Sequence, residues 1–134
     1  MDITQQRSSY ARAFLKGVFM KNLIASYIET ALWSSLDHND EPLDSNYNDD
    51  DLSEEAMLKS TQDCAEFIRQ AGDLLKGLSL NQVMHDFWLT RNHHGAGFWD
   101  GDYEYKVGKK LTEIAHGFGE VNLYVGDDNK LYLM

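Results

Sequence analysis

The residues able to do chemistry are gathered in one stretch, His85-Asp-Phe-Trp-Leu-Thr-Arg-Asn-His-His-Gly-Ala-Gly-Phe-Trp-Asp100. It contains three of the five histidines, two of the three tryptophans, an arginine and two carboxylates. A neutral imidazole binds metal ions and titrates near neutral pH, so histidines beside aspartates are raw material for acid–base or metal-assisted hydrolysis. His94 with Asp86 or Asp100 is the candidate catalytic set, and His85, His94 and Asp100 form the candidate metal set. Their spacing matches no established pattern: H-E-x-x-H, C-x-x-C, G-x-S-x-G and the phosphate-binding glycine loop are all missing from the sequence. Tryptophan and arginine are also the residues that dominate protein interfaces. On that reading Trp88, Arg91, Asn92, His94 and Trp99 are partner contacts, joined by Asp49, Asp50 and Asp51 of a nearby acidic run. The plainest reading is packing: Phe87, Trp88, Phe98 and Trp99 alternate between the two faces of a strand pair.

The elements around this stretch follow from hydrophobic periodicity. Met20, Leu23, Ile24, Tyr27, Ile28, Ala31 and Leu32 form one apolar stripe, which predicts a long helix over about 10–35. Asp51 with Glu54 has the form of a capping box opening a second helix, whose stripe runs through Met57, Cys64, Phe67, Ile68, Ala71 and Leu75 to a stop at Gly77. Ser79 with Gln82 repeats the cap and predicts a short helix over about 80–84. The aromatic and β-forming runs 86–90, 97–100 and 103–105 predict strands, the first two joined by a hairpin loop over 91–96. Val107, Leu111, Ile114 and Ala115 predict a helix over 106–116, and Val121 to Leu133 predicts a closing hairpin that turns at 126–129. The expected fold is a single α+β domain spanning 1–134: two long N-terminal helices and a short one on a small antiparallel sheet of two hairpins, with an intervening helix.

Composition narrows the function classes. The net charge is −10, and nine carboxylates with no lysine or arginine lie between Asp37 and Glu55, whereas the other 115 residues carry 13 acidic and 12 basic side chains. Concentrated negative charge steers a basic partner and repels nucleic acid, so direct nucleic-acid binding is not favoured. The Asp-, Asn- and Ser-rich part, 37–51, reads as a solvated loop. Asp44, Asn46, Asn48 and Glu55 fall at positions one, three, five and twelve of a calcium loop, but Asp49 stands at position six, where the sharp turn needs glycine. The lone Cys64 leaves no internal disulfide and fits a reducing compartment. The most apolar stretch, 14–33, is interrupted by Lys16, Lys21, Asn22 and Glu29, and the N-terminus lacks the basic-then-apolar order of a secretory leader. Neither a membrane nor a cofactor is expected.

The run HDFWLTRNHHGAGFWD, followed by LTEIAHGFGEVNLYVGDDNKLY, resembles a group of small uncharacterised proteins of tailed bacteriophages, as do the upstream pieces YIETALWSS and PLDSNY. The likeness covers most of the chain from about Ile24. In that group a glycine usually stands where this chain has His93, and an Arg-Gly pair where it has Gly101-Asp102. His85, Asp86, Arg91, Asn92, His94, Trp99 and Asp100 keep the pattern. The resemblance implies membership and no activity. Together with the segregated charge, it leads to the expectation of a phage accessory protein in the host cytoplasm that binds a host protein, as an inhibitor or DNA-mimic-like decoy of a defence or nucleic-acid-processing factor. The alternative is a small metal- or His-dependent hydrolase or nuclease centred on 85–100.

Overall fold

The computed structural model describes the backbone of residues 3–95 and 97–134, and the side chains of 19–95 and 97–134. Four helices, α1 (Ile3–Ser34), α2 (Glu54–Ala71), α3 (Leu80–Arg91) and α4 (Tyr105–Gly117), precede a hairpin of β1 (Leu123–Val125) and β2 (Leu131–Leu133). The α+β class expected from the sequence is what forms, with one two-stranded antiparallel sheet in place of two hairpins. Its register pairs Leu123 with Leu133, Tyr124 with Tyr132 and Val125 with Leu131.

α1 lies against α3 and α2, while α4 packs on α3 and α2. Leu23, Tyr27, Ile28 and Ala31 turn the inner stripe of α1 into one core with Phe67 of α2 and Phe87 of α3. Ring stacking organises its centre: Phe67 lies 4.2 Å from Phe87 and 5.7 Å from Phe98, and Tyr27 meets the edge of Trp88 at 5.3 Å.

Three expectations need correction. The run 86–91 is the second half of α3 and not a strand, because Met84, Phe87, Trp88 and Arg91 recur at helical spacing under cover from both α1 and α4. Burial on both sides admits β-branched and aromatic residues into a helix, and tertiary contact overrides their propensity. The predicted first hairpin is therefore absent among the described residues: 97–100 and 103–104 belong to an irregular connection from α3 to α4, and Tyr105 opens α4. Finally, α2 is capped by Ser53, whose hydroxyl accepts from the Ala56 amide at 3.1 Å. Asp51 closes a capping box one turn earlier, on a short 3₁₀ turn over Asp49–Asp51, with its carboxylate accepting from the Asn48 amide at 2.8 Å.

The acidic segment is held to the body at several points. Leu43 is completely buried, Leu36 bridges to Pro42, and Asp37 Oδ1 accepts from the amides of Asn39 (2.8 Å) and Glu41 (3.0 Å). Beyond it, the Ser53 amide donates to the Leu131 carbonyl at 2.8 Å, tying the start of α2 to β2.

Candidate functional site

Most of the polar residues of α3 are occupied by structural bonds. Arg91 is 1% exposed, its guanidinium lying beside the rings of Phe87 (5.5 Å) and Phe118 (5.6 Å), which meet edge to face. Its nitrogens donate to Asp63 Oδ2 (2.8 Å), the Tyr27 hydroxyl (3.0 Å) and the carbonyls of Gly119 (2.9 Å) and Phe118 (3.2 Å). A buried charge is tolerable only when paired and saturated with hydrogen bonds in this way. Burial pushes the Tyr27 phenol well above its ordinary range, which the Arg91 charge only partly opposes. Trp88 is 2% exposed and donates its indole N–H to Ser34 Oγ at 2.8 Å. Asn92 braces the end of the helix, its amide nitrogen donating to the Trp88 carbonyl (3.0 Å) and its oxygen accepting from the Val121 amide (2.9 Å). Trp88 and Arg91, expected as partner contacts, are thus inside the fold, because the helical period that replaces the hairpin turns both inward.

The candidate catalytic and metal sets fare similarly. Asp86 is buried and accepts from Gln82 Nε2 (3.2 Å to each oxygen) and from the Tyr103 hydroxyl (2.5 Å). Burial, then that bond, pushes the Tyr103 phenol up. His85 Nδ1 lies 2.9 Å from Thr30 Oγ1. The Thr30 hydroxyl also reaches the Ser26 carbonyl at 2.9 Å, so it is shared between the backbone of α1 and the His85 ring. His94 is exposed and faces a groove with Asn92, Glu120 and Asn122, whereas Asp100 is exposed on the α3–α4 connection. Among the described residues, no group of three or more His, Cys, Asp or Glu side chains is placed to hold a metal ion. That statement covers His85, His94 and Asp100, and also the calcium-loop positions, where Asn48 and Asp51 serve as caps.

What the structure brings together lies on the α3–α4 connection. Trp99 is 50% exposed and Tyr105 80% exposed, and with Phe98 and Tyr103 they wall an apolar cleft of about 420 Å³. Its other side is α4, where Tyr105, Lys109 and Glu113 recur every fourth residue and so share one face. Thr112 also lines the cleft and donates its proton to the Gly108 carbonyl at 2.7 Å, which leaves its oxygen free to accept. Gly108 admits the connection: a Cβ there would strike the Phe98 carbonyl oxygen. Gly97 does the same against Thr90, whose hydroxyl accepts from the Phe98 amide at 3.2 Å. From the cleft the aromatic surface continues over the His116 ring, 6.2 Å from Trp99, to His93, 4.5 Å further, and on to Glu120, 3.8 Å from His93 Nε2.

Of the expected contacts, Trp99 alone lines this cleft. Sequence reasoning missed Tyr103, Tyr105, Lys109, Thr112 and Glu113 as cleft residues. The fourfold spacing on α4 was the available signal. Asp49 and Asp50 are exposed beside the start of α2, and Asp51 is half-buried by its capping role.

No protein-family model, no curated protein sequence and no solved structure matches the chain. Among the described residues, no helix is long and apolar enough to cross a membrane.

Proposed function

We propose that this chain is an accessory protein of a tailed bacteriophage that binds a host protein through the cleft at Trp99, with the acidic segment 37–55 attracting that partner. The observation that carries the reading is a half-exposed indole and an almost fully exposed phenol flanking an apolar cleft, in a chain whose Asp86, Trp88, Arg91 and Asn92 are committed to internal bonds. Large rigid aromatics are costly to leave in water and contribute most when a partner covers them. The motif resemblance supports a phage origin, and the net charge of −10 favours a basic partner. The hydrolase reading loses support because Asp86 is bonded to Tyr103 and Gln82 beneath the surface.

The test is capture from host lysate with the purified protein as bait, compared with Trp99→Ala, whose folding is checked by circular dichroism. A tryptophan anchor contributes about 2 kcal/mol or more, so the variant is expected to retain its partner about 30-fold less well. Equal recovery of the same partners by both proteins would overturn the reading.

A further inference from the structure

The interior of the molecule holds a template for what the cleft can hold. Arg91 lies within cation–π distance of two aromatic rings, Phe87 and Phe118, that meet each other edge to face, with a carboxylate, Asp63, and carbonyl and hydroxyl oxygens completing its bonds. The cleft repeats these parts: the rings of Trp99 and Tyr105, the Glu113 carboxylate, and the Thr112 oxygen. Among the described residues Glu113 forms no ion pair, not even with Lys109 one turn away. Alternate residues from the connection into the first position of α4, Trp99, Gly101, Tyr103 and Tyr105, line the cleft, while the intervening Asp100, Asp102 and Glu104 are exposed and negative. A planar guanidinium matches this set because it stacks on aromatic faces and bonds a carboxylate through its edge at the same time.

We propose that the cleft receives an arginine side chain from a basic polypeptide segment of the partner. This rests on the binding-protein reading given above and assigns its ligand. The guanidinium stacks against Trp99 and Tyr105 and donates to Glu113 and Thr112, while the acidic rim draws in the flanking basic residues. Lys109 opposes the bound charge, so the exposed lysine side chain swings away on binding. That opposition makes the assignment sharply testable, since an anionic ligand would depend on Lys109 in the contrary sense.

The experiment titrates the full-length protein with the peptide Gly-Lys-Gly-Arg-Gly-Lys-Gly, its glutamine-centred counterpart and adenosine monophosphate, following the Trp99 indole resonance. The arginine peptide is expected to bind saturably and the other two not. Removing one side of a charge-assisted bond through Glu113→Gln should weaken it about tenfold, and relief of like-charge repulsion in Lys109→Gln should tighten it about threefold. Trp99→Ala should abolish the saturable phase. If Lys109→Gln weakens binding, or adenosine monophosphate takes the cleft, the ligand is a planar anion and the proposal fails. If the peptide binds Trp99→Ala equally well, it is held diffusely by acidic surface and the proposal also fails. Capture of a host protein that needs Trp99, without arginine binding, would sink this assignment alone. Arginine binding without any Trp99-dependent host partner would sink only the functional reading.

Discussion

At the scale of single residues, the fold keeps three weak acids, Tyr27, Cys64 and Tyr103, protonated beyond their ordinary range. Burial raises the Tyr27 phenol and the Cys64 thiol, and burial with the Asp86 bond raises the Tyr103 phenol. In the unfolded chain these groups ionise near their ordinary values of 9.0 for the thiol and 10.0 for the phenols. The folded state holds its protons to higher pH, so the stability they confer is complete below about pH 9 and drains away as the pH climbs through 10 and beyond. Thermal unfolding midpoints measured from pH 7 to 11 are expected to be level at first and then to fall. Tyr103→Phe removes one titrating group and its bond to Asp86. It is expected to be about 1–2 kcal/mol less stable at pH 7 and to decline less steeply in alkali. An identical alkaline slope in both proteins would contradict this account. Arg91 is the counterpart: its charge is matched by Asp63, which also pairs with Lys59 at 3.1 Å, so Asp63 couples the core to the outer face of α2.

At the scale of elements, the α3–α4 connection is positioned by glycines where any side chain would collide. Glycine within a helix ordinarily costs about 1 kcal/mol against alanine. Gly108 of α4 reverses that preference, because its Cβ would meet the Phe98 carbonyl oxygen and, at 3.4 Å, Tyr103 Cβ. Gly117, at the end of the same helix, has open space around a Cβ. Gly108→Ala is expected to destabilise by about 1–3 kcal/mol in denaturant titrations and to disturb the cleft, whereas Gly117→Ala is expected to be neutral or slightly stabilising. A stabilising Gly108→Ala would mean that the connection packs differently. The same elements mark what can be read from sequence. The apolar stripes of α1, α2 and α4 and the alternation in the hairpin were legible, because each buries a single face and leaves a clean period. The second half of α3 was not, because Phe87, Trp88 and Leu89 are all buried and a helix covered on both sides leaves no polar face to betray its period. The cleft was half legible. Tyr105, Lys109 and Glu113 carry a helical spacing, but nothing local to Trp99 says that its chain folds back over them.

At the scale of the whole molecule, the uneven charge governs how partners arrive. Asp44, Asp49 and Asp50 are exposed on the acidic segment, and long-range attraction by such groups acts on association far more than on dissociation. The association rate of the basic peptide with the protein is expected to drop about tenfold between 50 and 500 mM salt as screening shortens the reach of the field. Combined replacement of Asp44, Asp49 and Asp50 by asparagine should slow association at low salt and leave the dissociation rate within about twofold. Stopped-flow fluorescence of Trp99 reads both. A rate insensitive to salt would remove any steering role from the segment.

The tie from the start of α2 to β2 joins distant parts of the chain, and it has a neighbour. The acidic segment touches the closing turn, where the Tyr47 hydroxyl donates to Asn129 Oδ1 at 2.8 Å, 82 positions further along the chain, beside the bond from Ser53 to Leu131. Ring closure over so long a span is entropically late, following the local helices and their docking. On a ribosome, Tyr47 and Ser53 therefore wait for the final hairpin to emerge before making these bonds, whereas Leu43, tied to Ser35 beside α1, can seat as soon as that helix has docked.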